Sequence, residues 1–118
     1  MKREYRDYLQ DMYDATEKIE KFTENIKDVE DFEKDDKTVL AVVKALEIIG
    51  EAVKKIPLSV KNKYNKIPWK TISGMRDKLA HEYFGINLKV VWRTVKEELL
   101  IVKPLIKQIL DEIEKKQS

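Results

Sequence analysis

At 118 residues and 14.0 kDa the chain is one domain by size, residues 1–118, with room for a small core that association would help to stabilise. Its 42% hydrophobic and 39% charged residues, at a net charge of +2, exclude a disordered tail and favour amphipathic helices with solvated faces. The lack of cysteine excludes a disulfide scaffold, a thiolate metal site and a cysteine nucleophile.

Apolar residues at Tyr5, Tyr8/Leu9, Met12, Ala15, Ile19, Phe22, Ile26 and Val29 step by three and four. That rhythm predicts one long helix, roughly 3–30, burying a single stripe. The acidic turn Asp31–Asp36 then offers capping carboxylates to a second helix, which runs to about Ile56. Its inward residues are Val39/Leu40, Val43, Leu46, Ile49/Gly50, Val53 and Ile56, and Pro57 helps to end it. Gly50 costs this helix up to about 1 kcal/mol relative to alanine, which close approach of a neighbouring helix would explain.

Residues 57–67 read as a polar connection, and Pro68 suits the first turn of a third helix. Trp69, Ile72, Arg76, Leu79/Ala80 and Tyr83 share its stripe, and Gly85 is a natural C-terminal stop. Asn87 can cap a fourth helix bearing Leu88, Val91, Trp92, Val95, Leu99 and Val102. Pro104 falls inside the continuing pattern of Leu105, Ile106, Ile109, Leu110 and Ile113, so it should kink or split that helix. No strand pattern survives. The expected fold is all-α, an up-and-down bundle of four to five helices with a kinked last helix. No apolar run approaches the roughly 20 residues that span a bilayer, and the charged start leads into no signal-peptide stretch. A cytoplasmic protein without membrane contact is expected.

Charge is unevenly spread. Residues 1–36 carry 7 basic and 13 acidic side chains, whereas 54–78 holds eight basic residues, including Lys63, Lys66, Lys70 and Lys78, against Asp77 alone. A basic stretch beside a candidate site suits a polyanion, although a lysine-rich loop also serves solubility alone.

One segment stands apart, Ile67 to Ile86, with the chain's single histidine. On a helix Asp77 and His81 are neighbours four apart, and Arg76 and Tyr83 lie seven apart on an adjacent stripe. His81 can move protons at neutral pH, Arg76 can grip a phosphate with a planar fork of donors, Asp77 can orient either, and Tyr83 offers a hydroxyl. That set suits RNA cleavage by the ribose 2′-hydroxyl, which needs a base, an acid and a cation to offset the negative charge developing on the phosphorane, but no metal or other cofactor. One histidine for two proton transfers favours a symmetric dimer with two motifs face to face. The alternatives are structural: a histidine stabilised by the helix end, an Asp77–His81 surface pair, and Tyr83 in the core. Trp69 and Trp92 read as packing residues.

The run Arg76-Asp-Lys-Leu-Ala-His81-Glu-Tyr83 resembles the R-x4-H-x-Y signature of HepT-like HEPN ribonucleases. The flanks are similar as well: Ile67-Pro68-Trp69, Gly74-Met75, Phe84-Gly85-Ile86, Val91-Trp92 and, upstream, Leu46 to Ala52. Many members carry Asn where this chain has Asp77. The resemblance implies a HEPN-type bundle and a toxin that acts as a homodimer, with a composite site between protomers. It also implies a minimal nucleotidyltransferase (MNT) antitoxin that binds the toxin or transfers AMP to Tyr83, placing charge and bulk where RNA should dock. Assembly with the antitoxin beyond the dimer stays open. Two other readings compete with the nuclease. One is a non-catalytic helical dimer serving as the binding subunit of a nucleotidyltransferase. The other is a plain scaffold in which the motif packs and caps.

Overall fold

Two aspartates set the start of the bundle. A computed structural model describes residues 3–74 and 87–117. Helix α1 (Tyr5–Thr23) ends where the Thr23 hydroxyl donates to the Ile19 carbonyl at 2.8 Å. Asp28 then adopts extended backbone, and its carboxylate accepts from the Asp31 N–H at 2.9 Å, starting α2 (Val29–Lys34). Asp35 repeats the device toward the Thr38 N–H at 3.0 Å and starts α3 (Asp36–Lys54). The same backbone bond holds the Asp35 carboxyl below the usual carboxylate range.

The long first helix read from the sequence is therefore two helices, and the expected acidic turn is mostly α2. The cause is local. Periodicity counts apolar spacing, but it does not count side chains that compete for backbone donors and acceptors. Phe22, expected inward, is 41% exposed, while Thr23 beside it is buried. Phe32, which the reading placed in a turn, is fully buried and stacks at 5.1 Å on Trp92.

On α3 the inward set gains Val42 and loses Leu40, and Gly50 is buried as expected. The polar connection contains a short helix, α4 (Leu58–Lys63), which buries no residue of its own. Residues 69–74 are helical (α5), and Ile72 N–H bonds the Pro68 carbonyl at 3.1 Å at its start. Trp69 and Ile72 are buried, as their stripe predicts. Residues 75–86, over which the sequence predicts that the helix runs on to a stop at Gly85, lie outside the described residues.

Asn87 caps α6 (Leu88–Arg93) as expected, accepting from Lys89 N–H at 3.0 Å and Val90 N–H at 3.4 Å. A π-turn over Thr94–Glu98 joins α6 to α7 (Leu99–Gln117), in which Pro104 is accommodated. The interruption expected near the proline thus precedes it by about a turn. In the π-turn the Leu99 N–H reaches back to the Thr94 carbonyl, so register is lost upstream and the ladder resumes before Pro104.

Helix α1 packs chiefly on α3, then on α7, and α2 bridges α3 and α6. Polar pairs fix the direction of α7 against α1: Arg6 meets Glu114 at 3.5 Å, while Lys103 donates to Glu20 at 3.1 Å. The start of one helix meets the end of the other, so the two are antiparallel. Leu9, Met12, Ile19, Leu46, Ile49, Ile106 and Ile109 fill the core between them. The described residues form helices joined by short turns and irregular connections, with no strand among them, the all-α bundle expected. No helix among them is long and apolar enough to cross a membrane.

Candidate functional site: a basic groove upstream in sequence of the arginine–histidine motif

The segment 57–68 is anchored at three points. Ile56 and Ile67 are buried at its ends. The Trp69 indole N–H donates to the Tyr64 carbonyl at 3.1 Å, and the Tyr64 hydroxyl donates to the Glu112 carboxylate of α7. That hydroxyl bond holds the Glu112 carboxyl below the ordinary carboxylate range and pushes the Tyr64 phenol above its usual value. A carboxyl lowered in this way adds stability that is complete above the ordinary carboxylate range and fades on acidification. A raised phenol adds stability that fades as alkali ionises it. Tyr64→Phe is therefore expected to lower Tm by a few degrees near neutral pH, with the gap from wild type closing in acid. Thermal melts across pH check this, and a gap that persists in strong acid contradicts the assignment.

The anchored segment divides the lysines predicted to attract RNA. Lys63 lies over the Tyr64 ring at 5.3 Å, and with Lys66 it lines a cleft shared with Glu112. Lys70 lines a different feature, an open groove of about 740 Å³ between α4 and α5. Lys61, Asn62, Asn65 and Thr71 line that groove too, and it runs to Gly74, two residues before Arg76. Among the described residues, a β-carbon built on Gly74 meets no atom within 4 Å. Trp69 packs into the core from α5 and is a packing residue, as expected.

Sequence reading counted Lys61 among the basic residues but overlooked Asn62 and Asn65. Their three-residue spacing was the available signal. Arg76, Asp77, Lys78, His81 and Tyr83 lie outside the described residues.

Comparison with known proteins bears on that motif. The family model described as "Ribonuclease HepT-like" matches residues 12–113, a span that contains it. A probable ribonuclease HepT of Thermococcus cleftensis is 48% identical over 103 residues, covering 87% of this chain and 93% of that protein. Two proteins whose names begin "Putative RNase" are also similar. One, from Caldanaerobacter subterraneus, is 49% identical over 77 residues, covering 65% of this chain and 69% of its own. The other, from Methanocaldococcus jannaschii, is 50% identical over 78 residues, covering 66% of this chain and 64% of its own. No solved structure matches. A match of this extent, on a helical bundle, settles kinship: the chain belongs to the HepT-like ribonuclease family.

Proposed function

We propose that the chain is the toxin of a HEPN/MNT toxin–antitoxin pair, a single-domain, metal-independent endoribonuclease acting as a homodimer. The observation that carries this reading is Arg76-x4-His81-x-Tyr83 standing within the residues matched by a ribonuclease family model. His81 takes the proton from a ribose 2′-hydroxyl, and the 2′-oxygen attacks the adjacent phosphorus. The bond from phosphorus to the 5′-oxygen breaks, and that oxygen leaves with a proton supplied by an imidazolium. Arg76 neutralises the extra negative charge on the phosphorane through paired N–H donors. Asp77 orients the imidazole or the guanidinium. Two copies across a two-fold axis supply the base and the acid at once.

The nucleophile belongs to the substrate, so no metal-bound hydroxide is required. The nucleotidyltransferase partner silences the enzyme by binding it or by placing AMP on Tyr83, which brings a phosphate's charge to the substrate's phosphate site. Purified protein, free of any antitoxin, is expected to cut single-stranded RNA in EDTA at the rate seen without it, leaving 2′,3′-cyclic phosphate and 5′-hydroxyl ends. Gel analysis with end-specific labelling reads both features. Cleavage that disappears on adding chelator and returns with a divalent ion rejects this mechanism.

A further inference from the structure

We propose that the open groove between α4 and α5 binds a single RNA strand, holding the nucleotides that flank the phosphodiester being cut. Its place in the reaction rests on the ribonuclease reading, whereas its binding chemistry rests on the groove itself.

Lys61 and Lys70 face it, and none of its described lining residues is acidic. The contrast is with the groove along α1, where Asp14, Glu17, Glu20 and Glu24 surround two lysines. A surface with cations and no carboxylates attracts a polyanion, and it does so more strongly at low salt. Asn62 and Asn65 each present a donor and an acceptor on one planar amide, the pattern needed to meet the edge of a base. Pairing occupies the Watson–Crick edges, so a base offers them to these amides only in an unpaired nucleotide, which favours a single strand over a duplex. Leu58, 71% exposed, and Pro68 add apolar surface against which a base can lie.

The floor is fixed, because Trp69 is buried with its indole N–H committed to Tyr64. A fixed floor lowers the ordering cost of binding. The volume of about 740 Å³ lies in the range of ligand clefts, roughly 300–1,000 Å³. Continuity of the chain from Gly74 to Arg76 puts the groove directly upstream of the motif.

The test uses the intact protein and a short 2′-O-methylated RNA strand, which cannot be cut because its nucleophile is blocked. Fluorescence anisotropy across a salt series gives affinity and its salt slope. Each phosphate contact on a single strand contributes a slope of about 0.7. The Lys61→Gln/Lys70→Gln variant is expected to reduce the slope by about 1.4, with affinity at low salt falling roughly tenfold or more. Lys18→Gln/Lys21→Gln, removing two cations from α1, should change neither. Asn62→Ala/Asn65→Ala should keep the salt slope and flatten the preference among methylated homopolymers.

Circular dichroism confirms that each variant keeps its helices. A groove variant whose salt slope matches wild type, or a wild-type protein that does not bind the strand, overturns the proposal. An unchanged homopolymer preference in the asparagine variant overturns the base contacts. Cleavage of unmodified RNA is measured separately. Binding through the groove without cleavage rejects the ribonuclease reading alone, and cleavage with an unaltered slope in the lysine variant rejects the groove alone.

Discussion

Replacing His81 by alanine is expected to slow RNA cleavage by roughly 10²–10⁴-fold, the share that a positioned general acid or base contributes. The loss should fall on the chemical step. The 2′-hydroxyl keeps its proton, and the departing 5′-oxygen must take one from water, while binding through the lysines persists. Arg76→Lys separates charge from geometry at the neighbouring role. It keeps one positive charge and gives up the planar, two-pronged donor set, so a cut of at least about tenfold is expected even though net charge is unchanged. Single-turnover cleavage of a labelled strand reads both variants. Affinity for a methylated strand and the assembly state, measured in parallel, show whether the fold is retained. If His81→Ala cleaves like wild type while remaining folded, the motif is structural and the chain is a binding subunit or a scaffold. Toxicity in growing cells sorts the same alternatives, since a binding subunit would keep its behaviour without the imidazole.

The parts of the fold legible in the sequence are those where apolar spacing and capping agree. On α3 the run from Val43 to Val53 gives the inward face, and the helix ends at Lys54, three residues before Pro57. Asn87 announces α6 because its side chain has one evident task, satisfying the free N–H groups of the first turn. The break after Thr23 was not legible, because Ile26 and Val29 continue the three-and-four rhythm through residues whose backbone has already left the helix. Helix α4 is six residues long and buries none, so it leaves no period to detect.

The candidate site divides in the same way. Arg76, His81 and Tyr83 announce themselves by residue type and spacing, and the family match spans them. The groove lined by Lys61 and Lys70 does not, because a count of lysines has no direction. Lys63 and Lys66 line the cleft that holds Glu112 while Lys61 and Lys70 line the groove, and the Tyr64–Glu112 bond, across 48 residues of chain, ties down the segment that carries Lys61, Lys63 and Lys66.

Phe32→Ala is expected to cost roughly 3–5 kcal/mol, a large part of the roughly 5–15 kcal/mol that holds a domain of this kind together. The ring is 0% exposed and lies 5.1 Å from Trp92 at a tilt of 35°. It is the one residue that α2 buries in full, and it bridges the first half of the chain to α6. Removing it leaves a void that the short helix cannot fill by leaning inward, since Asp28 caps its start and Asp35, the residue after its end, is tied to the start of α3. Tm should drop by at least about 10 °C, given the few degrees that each kcal/mol moves a domain of this size. Phe32→Leu, which keeps most of the volume, should cost less than half as much. Leu40→Ala, at a position 52% exposed, should stay within about 0.5 kcal/mol of wild type. Had 31–36 been the solvated acidic turn that composition suggests, Phe32→Ala would cost no more than Leu40→Ala. Denaturant titration of the three variants therefore decides whether α2 closes the core, and equal midpoints would place Phe32 at the surface.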